Sequence, residues 1–147
     1  MEMKKEECAN AILVLQESLI ALKDKDAPKL RELSDRTIHS SCFYQNEGSI
    51  TSAVLIYTLS KLIERQDYNK IKLWDSFVNK FSSYIELAIS ALKKSNMSGY
   101  EKELVRARES LAGMSVNLKI YVQEVLRKAS INKGAKLYEH GLSLGKT

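Results

Sequence analysis

An all-α antiparallel bundle of about five main helices is the fold class this sequence predicts, on three observations. One proline and six glycines in 147 residues are too few for a turn-rich β fold. Apolar residues recur at alternating spacings of three and four along most of the chain, the spacing of one stripe on a helix. The composition, 44% hydrophobic and 28% charged, is that of a globular chain, and the length suits a single core.

Cys8, Ile12, Leu15, Leu19 and Leu22 form the stripe of a first helix. The stretch "DKDAPK" ends it, with Asp26 as the cap of a second helix and Pro28 in its first turn, where a missing N–H is harmless. That helix is expected to run to about Tyr44, with Leu30, Leu33, Thr37, Ile38 and Tyr44 inward. After the turn "QNEGS", Ser49 is placed as the cap of "ITSAVLIYTLSKLIER", which is apolar nearly all round, as the most enclosed helix of a bundle is. A fourth helix carries Trp74, Phe77, Phe81, Tyr84, Ala88 and Ala91 inward and ends near "KKSN".

Ser98 and Glu101 read as a capping box opening the fifth helix. Leu104, Ala107, Leu111, Met114, Leu118, Tyr121 and Val125 then hold one seam straight through Gly113. A helix over about 98–131 would be ~50 Å long. It must either kink at Gly113 or project and pair with a second copy of the chain, because a seam of that length is a coiled-coil signal. The bundle domain is thus placed at 1–132, with 133–147 as a short C-terminal tail.

Several chemistries lose their residues at this level. The N-terminal stretch has Glu17 inside its apolar run, unlike a signal peptide, and no run approaches the ~20 residues of a membrane span, so a cytoplasmic protein with no membrane partner is expected. Cys8 and Cys42 have neither zinc-site nor disulfide-framework spacing and read as small core residues. The terminal "GLSLGKT" ends like a phosphate-binding loop, but only Leu142, Ser143 and Leu144 separate Gly141 from Gly145, and the position that needs the first glycine is His140. Asp35 and His39 lie one turn apart, bordered by Glu32 and Arg36, yet two ligands do not make a metal site. No enzyme activity, catalytic residue, metal or cofactor is expected.

Charge gives the most usable signal. Residues 1–90 carry 12 basic and 13 acidic groups and a balance of −1, whereas residues 91–147 carry 11 and 5 and a balance of +6. With Leu104 at heptad position a, Lys102, Arg106, Lys119 and Arg127 fall at f, c, b and c, away from the seam, with Arg108 and Lys128 flanking them and Glu109 interrupting. Lys102, Arg106, Lys119, Arg127 and Lys128 are therefore the candidate nucleic-acid-binding residues, since Lys/Arg arrays bind phosphates by releasing counterions. An acidic protein partner would use the same face. Aromatic interleaving is weak, with Tyr100, Tyr121 and Tyr138 nearby and Tyr121 committed to the seam.

Two stretches, "RELSDRTIHSSCFYQNEGSITSAVLIYTLSKLIE" at 31–64 and "KLYEHGLSLGKT" at 136–147, resemble an uncharacterised archaeal family of all-helical proteins. In that family the second stretch leads into a small helix-turn-helix similar to those of some antitoxins and regulators. The resemblance implies a regulatory module, here truncated at Thr147 before the recognition helix. In helix count and in its apolar third helix the chain also resembles HEPN-type ribonuclease bundles. That family's Arg and His stand four to six residues apart, whereas two residues separate Arg36 from His39 here. The function expected is a non-enzymatic interaction or regulatory module, associated with nucleic acid through its basic half and self-associating through its seam. The alternatives are an antitoxin-like or scaffold protein that binds another protein, and a HEPN-type ribonuclease lacking the usual signature.

Overall fold

The first helix, α1 (Lys5–Lys23), turns back into α2 (Ala27–Ser40) through three residues whose geometry the sequence signals only in part. In the computed structural model, which describes residues 5–40, 47–65, 74–113, 117 and 119–128, Lys25 takes the left-handed conformation at φ 53°. The Lys25 N–H donates to the Leu22 carbonyl at 3.2 Å and the Asp26 N–H to the Ala21 carbonyl at 2.9 Å, the paired bonds that close a helix C-terminus. Asp26 then caps α2 as expected, its Oδ1 accepting from the Lys29 N–H at 3.2 Å.

The same device joins α4 (Trp74–Lys93) to α5 (Met97–Ala112). Ser95 sits at φ 57°, the Ser95 N–H donates to Leu92 at 3.0 Å, and the Asn96 N–H to Ala91 at 2.8 Å. Asn96 Oδ1 accepts from the Gly99 N–H at 2.9 Å, so the cap is Asn96 and not the expected Ser98, which already lies inside the first turn. Gly99 has a packing reason too: a Cβ there would stand 2.6 Å from Asn96 Nδ2 and push the cap out of place.

Between the two hairpins lies α3 (Glu47–Glu64). It begins two residues before the expected cap, which places Ser49 within the helix. Every residue from Ser52 to Ser60 is buried, so this is the enclosed helix that its composition predicts. Its neighbours are α1, α2 and α5, while α1 also packs on α2 and α4, and α4 on α5, which closes a ring of five helices around one core. Ser34 Oγ on α2 donates to the Ala53 carbonyl at 2.9 Å, and Arg31 meets Glu64 at 3.3 Å, so α2 and α3 run antiparallel.

The all-α bundle is as the sequence predicts, with no strand among the described residues, but the long fifth helix is two helices. α5 stops at Ala112, with Gly113 as its C-cap, and residues 119–128 form α6. The seam divides for a packing reason. Leu104, Ala107 and Leu111 enter the main core with Leu30, Leu33, Leu59 and Phe81. Tyr121 and Val125 enter a second, smaller core with Ile38, Ala53, Val54 and Tyr57, on the far side of α3. A straight helix cannot reach both sides of α3, so α6 does not continue the line of α5. Those five seam residues are thus buried within one chain.

Tyr84, expected inward with Phe77 and Phe81, is only half-buried. Met114, Leu118, Tyr44, Cys42 and the 133–147 tail, as well as the side chains of Cys8 and His39, lie outside the described residues. Among those described, no helix is long and apolar enough to cross a membrane.

Two stability measurements check the hairpin turns. Asn96→Ala should cost about 1 kcal/mol in urea unfolding while Ser98→Ala changes little, the reverse of what a capping box at Ser98 requires. Ser95→Gly should stabilise by about 0.5–1 kcal/mol, because glycine adopts positive φ without the Cβ penalty.

Candidate nucleic-acid interface

The five cations singled out in the sequence reach the surface, but in two groups. Lys102 and Arg106 stand one turn apart on α5, whereas Lys119, Arg127 and Lys128 are carried by α6. The heptad register that would set them in one row does not run past Gly113. Lys102, Lys119 and Arg127 are exposed, and no ion pair among the described residues engages them.

The other two have structural duties. Arg106 Nη1 donates to Glu103 Oε1 at 3.2 Å, and Glu103 is only 8% exposed, so the guanidinium is the counter-charge of a nearly buried carboxylate. Lys128 Nζ lies 3.7 Å from Asp35 Oδ1 and 4.6 Å from the centre of the Tyr57 ring. It therefore ties α6 to α2 and α3 at once, by an ion pair and a cation–π contact.

Tyr57 is the centre of that tie. Its hydroxyl donates to Glu124 Oε2 at 2.7 Å, and its ring meets Tyr121 edge-on with centroids 5.9 Å apart. Lys61 Nζ stands 5.3 Å from the same ring, and Arg65 Nη1 donates to the Tyr121 hydroxyl at 3.1 Å. Burial, then the hydrogen bond to Glu124 and its negative charge, push the Tyr57 phenol well above its ordinary value. A phenol held protonated in this way is a hydrogen-bond donor and not a base. Beside it, Lys61, Glu64, Arg65, Asn117, Ile120, Tyr121 and Glu124 line an open groove of about 290 Å³ with charges of both signs.

Asp35 is taken up by Lys128, while Arg36 reaches Glu17 of α1 and Glu32 pairs within α2. Arg36 bonds Glu32 and also Glu17, the latter at 3.0 Å, and Lys29 bridges Glu17 at 3.6 Å and Glu32 at 3.5 Å. The Arg36 hydrogen bond, helped by Lys29, holds the Glu32 carboxyl below its usual range. Among the described residues no three His, Cys, Asp or Glu side chains could hold a metal together.

Sequence reasoning missed two groups beside this surface. Lys80 and Tyr84 of α4 share a groove of about 410 Å³ with Arg106, Glu109 and Ser110 of α5. Nothing in the linear order links residue 80 to residue 106, and the antiparallel hairpin brings them together. Fold and surface thus define a helical bundle with a set of exposed cations on its last two described helices. No family model, curated protein or solved structure matches the chain.

The Tyr57 site has a pH signature. A folded-state phenol value above the unfolded one leaves its stabilisation intact below the unfolded value of 10.0 and removes it as pH rises beyond that. Unfolding free energy, followed in urea from neutral to strongly alkaline pH, should fall above about pH 10. Tyr57→Phe should be less stable at neutral pH and show a shallower alkaline fall. An unchanged alkaline slope would place the titration elsewhere.

Proposed function

We propose that this chain is a non-enzymatic helical interaction module of a regulatory kind that associates with nucleic acid through the cations of α5 and α6. The observation that carries the reading is the exposure of Lys102, Lys119 and Arg127 without ion-pair partners among the described residues, on the part of the chain whose balance is +6. Cations already neutralised by a protein carboxylate have little counterion to release, whereas these three keep theirs for exchange with phosphates. The resemblance to the archaeal family whose C-terminus leads into a helix-turn-helix points the same way. Self-association through the heptad seam is not part of the reading, because the described seam residues pack inside one chain.

A second reading, a scaffold that binds another protein, is favoured by a different surface. Gln16, Leu19, Ile20 and Lys23 of α1 face Glu86, Ile89, Ser90 and Lys93 of α4 across a groove of about 470 Å³. Ile20 is 63% exposed there, an apolar side chain left to solvent between two lysines.

One variant separates the two readings. Reversing Lys102, Lys119 and Arg127 to Glu should abolish binding to a labelled oligonucleotide in fluorescence anisotropy at low salt, with the helical circular dichroism unchanged. Arg106 is left in place, since its removal strands Glu103. Wild-type affinity in that variant would refute the nucleic-acid reading. Partners that stay bound after nuclease treatment and after the reversal, and are lost in Ile20→Glu, would establish the second one.

A further inference from the structure

Described aromatic residues are almost all spent in the cores: Tyr57, Trp74, Phe77, Phe81, Tyr100 and Tyr121 are each less than 10% exposed. Tyr84 differs. It is half-buried and lines the groove between α4 and α5 with a cation from each helix, Lys80 and Arg106. Lys102 stands one helical turn before Arg106 on the same side of α5, so the cations continue along the groove. Tyr84 Oη and Ser110 are hydroxyl groups in the same groove, and Ser110 Oγ donates to the Ala107 carbonyl at 2.7 Å. Glu109 is the one acidic lining residue.

We propose that this groove is a nucleotide-binding notch that takes one unpaired base of a single-stranded nucleic acid. The inference rests on the nucleic-acid reading above and narrows it to single strands. An aromatic face offers every base a stacking partner, and cations beside it follow the phosphates on either side of that base. The volume, about 410 Å³, admits a base with part of its sugar. Arg106 spends one nitrogen on Glu103, and the guanidinium fork has further N–H groups for a phosphate oxygen. Lys80 is exposed and no ion pair among the described residues holds it, so its charge is available to the ligand. Glu109 accounts for itself in this notch: a carboxylate would repel a bare phosphate but accepts a hydrogen bond from the exocyclic amine of cytosine or adenine. In a duplex the bases are stacked on each other, so Tyr84 would have no ring face to meet.

The test uses the whole chain, a labelled oligodeoxycytidine and a labelled duplex of the same length, with fluorescence anisotropy across a salt series. Wild type should bind the single strand more tightly than the duplex. Tyr84→Leu, which keeps the apolar contact with the core, should weaken single-strand binding about tenfold and leave duplex binding unchanged. Tyr84→Phe, which keeps the ring, should bind as wild type does. Lys80→Ala changes an exposed residue and so tests the site without risk to folding: its slope of log affinity against log salt should be shallower by about 0.7 for the single strand. Wild-type affinity in Tyr84→Leu together with an unchanged slope in Lys80→Ala would overturn the notch while leaving binding through Lys102, Lys119 and Arg127 intact. Absence of binding to either probe by the wild-type protein would overturn the nucleic-acid reading and the notch with it.

Discussion

Enclosing the middle of α3, Ser52 to Ser60, is the constraint on which the other elements depend. A stretch buried on every face, as Ser52 to Ser60 is, must satisfy every polar side chain it carries, and an unsatisfied hydroxyl in that position costs roughly 1–3 kcal/mol. Here each has a partner. Thr58 Oγ1 donates to the Val54 carbonyl at 2.8 Å, Ser60 Oγ to the Tyr57 carbonyl, and Ser52 shares a 3.2 Å hydrogen bond with Tyr100 of α5. Bonds to the helix's own carbonyls let small hydroxyls be buried beside apolar residues without a second helix to receive them. The remaining requirement is for apolar cover, and its neighbours α1, α2 and α5 leave one side of α3 open, over Ala53, Val54 and Tyr57. α6 closes it.

That requirement explains why the last cations divide into working and structural groups. α6 docks by a small core of Tyr121, Val122 and Val125, too few residues to hold a short helix by apolar area alone. The polar ties around it, Glu124 on Tyr57 of α3, Lys128 on Asp35 of α2 and Arg65, just past the end of α3, on Tyr121, each join α6 to a different point. Lys128 is therefore drawn out of the basic surface by the docking of its own helix, and Arg106 gives part of its fork to the nearly buried Glu103. The cations that remain are those whose helix face packs against none of the described residues.

The two hairpins show how local chemistry sets the frame on which this happens. Each link spends one left-handed residue, Lys25 or Ser95, and lets the following Asp26 or Asn96 serve both as the last donor of the closing turn and as the cap of the next helix. Neither left-handed residue is glycine, so both turns carry strain that the packing of the hairpins offsets. The tight links bring helix faces together in fixed register, and the Lys80–Tyr84–Arg106 groove is a direct consequence of the second one.

Much of this was legible in the residues. The alternation of threes and fours found α1, α2 and α4, the apolar run at 50–65 found the enclosed helix, and Asp26 with Pro28 marked the start of α2, because each is set by spacing or by chemistry within one turn. The break after Ala112 was legible only as one of two alternatives at Gly113, since Leu104 to Val125 hold one unbroken seam and only the positions of two separate cores on opposite sides of α3 show that no single straight helix can serve both. Ser98 and Asn96 are equally good caps in a list of residues, and the closing turn at Ser95 decided between them by fixing where the helix could begin. Candidate cations were legible as a net charge, but which were spent on Glu103 and Asp35, and that Tyr84 would stand half-open between Lys80 and Arg106, depended on contacts between residues far apart in the chain. Sequence by itself determined the helices, because their signals are local; tertiary structure decided which side chains were left over for a partner, because burial and pairing are properties of the assembled surface.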